Sequence, residues 1–390
     1  MAAHAAVGTA DRAVERAAAI PWYIWCSALA VTSAMVGVHW DISWHRSIGR
    51  DTFWTPAHIA IYVCGVLAGI SSAYLILSTT FGSNGAARDA SVKMWGFRGP
   101  LGAFICAWGG VAMLTSAPFD DWWHAAYGLD VKILSPPHTV LALGIVSIQM
   151  GALILILGHM NRAAGALRPK LGWLFLYVGG MIVVALLVVF AEHLNRIMLH
   201  TGRAYRTVSI LVPVVLVAVA RASEKRWAAT KVAGVYTAFW LAMLWILPLF
   251  PAEPKLGPVY NPVTHFIPMG FPLLLIAPTM ALDWIWARTA RWNKWTQAAV
   301  SGLAFFAVFV AVEWPFANFL MTPEARNWLF GAHYFDYGTG PGSFNARHLF
   351  LPLEKTAGEF WTAMAGAPVA AILSARLGLA WGEWMRRIRR

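Results

Sequence analysis

The chain has 390 residues, 59% of them hydrophobic and 12% charged, with a mean hydropathy of +0.58. An ordinary soluble domain carries about 25% charged residues, so the composition argues against one. The formal net charge of +12 raises nucleic-acid binding as a possibility, which the placement of the charges then opposes.

Residues 1–20 form an N-terminal tail. The first apolar run starts near Pro21 and reaches at least Val38. It is too long for a signal-peptide core and lacks a small-residue cleavage site, so it reads as a retained first helix. A spanning helix needs about 20 mostly apolar residues. Ten such spans are expected, at approximately 21–43, 55–79, 99–117, 136–158, 171–194, 205–220, 232–250, 263–286, 297–317 and 356–381. The ~10-residue alternating segments of a β-barrel are missing. The expected fold is therefore all-α, a polytopic membrane helical bundle over 21–381. It carries one long, turn-rich loop from Phe319 to Glu354 and a basic tail at 382–390. Cys26, Cys64 and Cys106 all lie in apolar runs and read as small buried hydrophobes. Gly65/Gly69 and Gly179-Gly180 are candidates for close helix packing.

Lys and Arg concentrate in the N-tail, the even-numbered connections and the C-tail, where Arg386, Arg387, Arg389 and Arg390 cluster. Acidic residues favour the other face. Basic loops stay cytoplasmic, so both termini are expected inside a multi-pass cytoplasmic (inner) membrane. The excess charge is then a topology signal and a contact for anionic lipid heads, and nucleic acid drops out as a partner. Every histidine except His4 and His159 falls at or near the outer face, His39, His333 and His348 included. Ionisable groups at membrane depth are costly and usually functional.

Two stretches near that face repeat each other. The first is Asp41-Ile-Ser-Trp44-His45 followed by Pro56-Ala-His58, and the second is Asp120-Asp-Trp-Trp123-His124 followed by Pro136-Pro-His138. The helix pairs 21–79 and 99–158 thus carry a duplicated Asp/His/His motif. Asp41 and His45, four apart, share one helical face. Thr55 and Ser135 stand as N-caps, with Pro56 and Pro136 at the first helical position. His58 and His138 then fall in a first turn, where the helix dipole favours the neutral imidazole that a metal requires. Asp120 repeats Asp41, with Asp121 an alternative carboxylate. An Asp/His/His set suits copper(II), zinc or iron(II) and is too nitrogen-rich for magnesium or calcium. Three protein ligands leave a position open for water, oxygen or substrate. The competing reading is that each histidine simply pairs with its own aspartate at a helix end, or that one copy is vestigial.

Glu192, His193 and His200 close the fifth span, the two histidines seven apart on one helical face. His265 follows Asn261-Pro262 at the start of the eighth span. Glu313 lies inside the ninth, which Trp314-Pro315 should kink. These residues are expected to orient the metal ligands or to relay protons. Asp130, Asp336 and His333 read as ordinary loop residues.

His45 through His58 reads HRSIGRDTFWTPAH, preceded by DISW. This resembles the copper-site segment of the C subunit of copper membrane monooxygenases, the methane and ammonia monooxygenase family. Asp41, His45 and His58 match the family's three ligands in its D-x3-H-x12-H pattern, and Arg50, Asp51, Thr55 and Pro56 match the surrounding segment. The resemblance covers about twenty residues, 41–61, and nothing outside them. It implies a copper centre near the outer face, oxygen, a small apolar or inorganic substrate, a reductant such as a quinol, and other membrane subunits as partners. The expected function is that of an integral membrane metal protein, copper first, of monooxygenase-type oxidoreductase chemistry. Catalytic residues cannot be named from the sequence, which leaves open whether the chain is an enzyme. The alternative is a proton-coupled transporter or metal-handling permease that uses the motif pair as a duplicated gate, with Glu313 and Glu192 carrying protons.

Overall fold

The computed structural model describes residues 19–49, 51–128, 135–194, 198–223, 225–255, 263–331, 354 and 356–390, with Glu192 described in its backbone only. In chain order these form α1 (Trp22–Ser47), α2 (Pro56–Phe81), a short α3 (Gly85–Asp89), the antiparallel hairpin β1 (Val92–Met94) and β2 (Phe97–Gly99), α4 (Leu101–Tyr127), α5 (Pro136–Arg162), α6 (Leu167–Val189), α7 (Gly202–Ala222), α8 (Ala228–Ile246), α9 (Ile276–Thr289), α10 (Lys294–Leu320) and α11 (Ala357–Met385). Prolines set several starts: Pro21 and Pro100 are N-caps of α1 and α4, and Pro56 and Pro136 open α2 and α5. The fold is an all-α membrane bundle. Among the described residues, nine helices are long and apolar enough to cross a membrane, namely all but α3 and α9. The N-tail through residue 18, Arg50, Asp130, Asn261-Pro262, His333, Asp336 and His348 lie outside the described residues.

The expected eighth span, 263–286, is not one helix. Only α9, with 14 residues, is helical there, and its ~21 Å falls short of a ~30 Å hydrocarbon core. Pro268, Gly270 and Pro272 hold residues 266–275 out of helix. Backbone at such depth is tolerated only where protein satisfies it. Ser43 Oγ donates to Ile267 O (2.7 Å), and Ile267 N donates to Ser47 Oγ (2.7 Å). Trp240 Nε1 donates to Gly270 O (2.7 Å), Leu273 N to Tyr236 OH (2.9 Å), and Leu274 N to Glu313 Oε2 (2.8 Å). The segment still crosses. Phe266 N bonds Phe250 O beyond the C-terminus of α8, while Asp283 of α9 accepts the N–H groups of Ala229 and Thr230 at the N-terminus of α8.

Packing is closest where side chains vanish. A Cβ on Gly37 of α1 would meet Ile61 N at 2.8 Å and Ala57 O at 2.9 Å on α2. On the α4–α5 pair, a Cβ on Gly109 would meet Gly144 O at 2.7 Å, and one on Gly151 would meet Gly102 O at 2.7 Å. Gly179 and Gly180 are similarly tight against Val219 and Val235. Gly65 and Gly69 pack more loosely: Gly69 has nothing within 4 Å of a Cβ, while Gly65 faces α4, with the Met113 sulfur 3.9 Å from its Cβ and its own O 3.9 Å from a Cβ on Gly110. Another side of α2 carries a stripe of exposed Ile59, Val63, Val66, Ile70, Tyr74 and Leu77 at helical intervals. α6 is the central helix, with Leu171, Phe175, Val178, Met181 and Val183 fully buried.

Two further expectations about helices differ. α6 ends at Val189, its 23 residues already spanning ~35 Å. His193 and His200 therefore sit in separate 3-10 turns, Ala191–His193 and Met198–His200, and not on one helical face. His265 does not open a helix but forms an isolated bridge with Pro251.

Candidate metal centres

α1 and α4 run beyond the expected span ends, to Ser47 and Tyr127, and carry their Asp-x-x-x-His pairs with them. The following short connections bring α2 and α5 back antiparallel, so both motifs lie at the same end of the bundle. The glycine contacts at Gly37 and at Gly109/Gly144 draw each helix pair together beneath its motif.

In the first cluster Asp41 Oδ2 stands 3.8 Å from His45 Nε2, and Asp41 Oδ1 stands 3.2 Å from His58 Nε2. A fourth donor joins them from the loop. Asp51 Oδ2 is 3.4 Å from His45 Nε2 and 3.3 Å from His58 Nε2. Thr52 N donates to Thr55 Oγ1 (2.8 Å), Thr55 N donates to Thr52 O (2.9 Å), and Tyr62 OH donates to Phe53 O (3.0 Å). These bonds shape the loop that presents Asp51, whose side chain is only 8% exposed. Thr55 thus spends its hydroxyl on the loop and makes no side-chain cap to α2, unlike the expectation. The imidazoles of His45 and His58 hold the Asp51 carboxyl well below the usual carboxylate range.

The second cluster has the same geometry. Asp120 Oδ2 lies 3.4 Å from His124 Nε2 and Asp120 Oδ1 lies 3.3 Å from His138 Nε2. Ser135 caps α5 by accepting from His138 N. His124 Nδ1 stands 3.2 Å from Gly128 O. A proton on Nδ1 directed at that carbonyl leaves Nε2 as a lone pair facing Asp120, the tautomer of a metal-ligating imidazole. Asp120, His124 and His138 offer ligand atoms all within 4.8 Å of one another, as do Asp41, His45 and Asp51.

No family model, curated protein or solved structure matches this chain.

The donor sets fit a metal. Ligands about 2.1 Å from a tetrahedral ion are separated by about 3.4 Å, close to the 3.2–3.8 Å contacts. Asp41 Oδ1 and Asp120 Oδ1 are buried and accept no well-aligned hydrogen bond among the described residues, although an imidazole nitrogen is close to each. With neutral imidazoles, the first cluster carries two negative charges and the second one, which a divalent cation offsets. The clusters are neighbours. Tyr62, one turn beyond His58 on α2, feels the carboxylates of Asp120 and Asp121 as well as those of Asp41 and Asp51.

Among the described residues, the remaining sequence candidates join neither cluster. Asp121 is exposed. His200 Nε2 is 2.7 Å from Asn318 Oδ1, and His265 Nδ1 is 2.9 Å from Thr264 Oγ1. His193 Nδ1 is buried without a hydrogen bond among the described residues, and the Glu192 side chain lies outside them. Glu313 lies on α10 against the broken crossing. The donor missed in the sequence is Asp51, treated there only as part of a matching segment. One signal existed: an aspartate follows the first histidine by six residues in both motifs, Asp51 and Asp130.

Proposed function

We propose that this chain is an integral membrane metalloprotein, binding copper first among divalent first-row metals at Asp41/His45/Asp51/His58 and Asp120/His124/His138, and serving as part of a monooxygenase-type oxidoreductase. One observation carries the metal assignment. In both clusters carboxylate and imidazole atoms converge at coordination-edge distances while a buried carboxylate oxygen of each accepts no well-aligned hydrogen bond. The resemblance over 41–61 supports copper, and the basic loops support a non-cytoplasmic side. Zinc and iron(II) share the ligand preference.

Bound copper supplies one-electron redox chemistry toward dioxygen. The residues do the rest. Asp41 and Asp51 neutralise cationic charge, the imidazoles donate through Nε2, and Gly128 O fixes the His124 ring. The exposed apolar stripe of α2, starting at Ile59 beside His58, gives a small apolar substrate a route from lipid. A permease reading draws on a different observation, the interrupted crossing at 266–275, which is the kind of element that transporters place at substrate sites.

Metal analysis of protein purified from membranes without added chelator tests the proposal. Wild type should retain copper, with nitrogen coupling in its paramagnetic resonance spectrum, and His58→Ala and His138→Ala should each lose part of it. Absence of copper, zinc and iron from wild type, or equal content in all three, would overturn the metal assignment. Quinol-dependent oxygen uptake then separates an oxidoreductase from a permease, which would instead move metal into vesicles.

A further inference from the structure

The two clusters leave unused the most deeply buried acid among the described residues. Glu313 on α10 is 1% exposed. Its Oε2 accepts the N–H of Leu274, one residue before Leu275, the N-cap of α9. The carboxylate therefore sits at the start of a half-helix, where free N–H groups and the dipole favour negative charge. Its Oε1 is buried and has no hydrogen-bond partner among the described residues, and no basic side chain there pairs with it. Two phenols stand by. Tyr205 of α7, stacked on Trp314 at 5.8 Å, has a buried hydroxyl likewise without a partner, and Tyr236 of α8 accepts the N–H of Leu273. Both lie within electrostatic reach of Glu313.

A cavity of about 30 Å³ lies beside the broken crossing, lined by Tyr236, Trp240, Gly270, Phe271 and Leu273 and reaching Arg46, the neighbour of His45 at the cluster end of α1; it stops at Tyr236 and Leu273, one residue short of the Leu274 N–H that Glu313 accepts. That volume holds about two waters. A carboxylate kept only to close the half-helix needs no charge, since a glutamine accepts the same N–H without the cost of burying an anion. A structural acid also finds partners for both oxygens. Glu313 does neither.

We infer that Glu313 is a membrane-embedded proton-binding site, loaded from the cavity at the cluster end past Tyr236, with the unpartnered Tyr205 hydroxyl carried by a ring that packs on Trp314, the next residue of α10. An O–H bond forms at Oε1 and one breaks at hydronium in the cavity, so one proton moves and nothing is oxidised or reduced. The titratable groups facing the site are Tyr205 from α7 and Tyr236 from α8, and His200 lies against Trp314 at 5.4 Å. α9 and α11, also packed on α10, bring no charge that acts on it. The site does not depend on metal at the clusters.

Infrared difference spectra of the full chain in liposomes, taken between alkaline and acid pH, test this. A carboxylic acid C=O band should appear on acidification, shift in deuterated water and be absent from Glu313→Gln. That variant keeps the acceptor for Leu274 N and should retain the wild-type helical circular-dichroism spectrum and a single sharp elution peak in detergent, which shows it is folded. Tyr205→Phe should keep the band and move its frequency. An identical titrating spectrum in wild type and Glu313→Gln overturns the inference, as does a band that follows sodium or potassium instead of pH. If Glu313→Gln does not insert, Tyr205→Phe decides: an unmoved band overturns the inference.

Discussion

Asp51 Oδ2 stands 3.3 Å from His58 Nε2, so a loop carboxylate joins Asp41 in closing the first cluster. The loop is held by the Thr52–Thr55 pair and by Tyr62, not by Asp51 itself. Asp51→Asn should therefore leave the loop in place and weaken metal binding at the first cluster by roughly 10–100-fold, the usual scale for groups that tune a metal site. The second cluster should be unaffected. Chelator-competition titrations of Asp51→Asn in a His138→Ala background isolate the first cluster, and an unchanged affinity there would reduce Asp51 to an ion-pair partner.

Acid should strip the metal through the imidazoles before the carboxylates. The folded Asp51 carboxyl lies below its unfolded value because His45 and His58 stand beside it. Its contribution to stability is thus complete above the ordinary carboxylate range, ~4, and is lost only as pH falls through the lowered value. Imidazoles must shed protons to bind metal, and an imidazole takes up a proton at higher pH than a carboxylate does. Metal content measured against pH should fall while pH is still above the carboxylate range, with protons released on rebinding. Loss confined to pH below ~4 would show that carboxylate protonation controls release.

Legibility in the sequence followed chemistry more than geometry. Asp41, His45, Asp120 and His124 were visible because a four-residue spacing forces one helical face, and Pro56 and Pro136 fixed where the partner histidines begin. Asp51 was hidden because a loop residue has no periodicity to announce its direction. The eighth crossing looked continuous because hydropathy sums apolar residues without asking whether Pro268, Gly270 and Pro272 let them coil. The useful glycines were misjudged for a related reason. Gly65 and Gly69 have the spacing of a packing pair, but only the fold shows that α4 meets them no closer than 3.9 Å, whereas Gly37 stands alone in sequence and touches backbone.

Gly37 supplies the next prediction. A valine there would drive side-chain atoms into Ile61 N and Ala57 O, both on the turns flanking His58, and part α1 from α2. Gly109→Val would do the same to α4 and α5 against Gly144 O and Ile148 N. Each should remove metal from its own cluster while sparing the other. Gly69→Val, with nothing within 4 Å of its Cβ, should bind normally. Metal stoichiometry and paramagnetic resonance of the three variants check this, and equal loss in all three would mean that valine acts through general misfolding.

Ser43 and Ser47 present a stability question that magnitudes decide. Both lie on α1, one turn apart, and clamp the two polar groups of Ile267, Ser43 donating to its carbonyl and Ser47 accepting its N–H. Side-chain hydrogen bonds between membrane helices average only about 0.6 kcal/mol, because the alternative state finds other partners. A backbone N–H has fewer choices. Residues flanking Ile267 are held by Pro268 and by the Phe266–Phe250 bond, so in Ser47→Ala the freed N–H cannot turn toward a substitute. The cost should therefore approach the roughly 1–3 kcal/mol of an orphaned buried donor. Ser43→Ala strands only a carbonyl and should cost less. Thr115→Ala, which removes a hydroxyl bonded to its own helix at Val111 O on an exposed face, should change almost nothing. Thermal unfolding in one detergent should rank the three in that order, and a Ser47→Ala midpoint no lower than that of Thr115→Ala would mean that water or lipid headgroups reach the broken crossing.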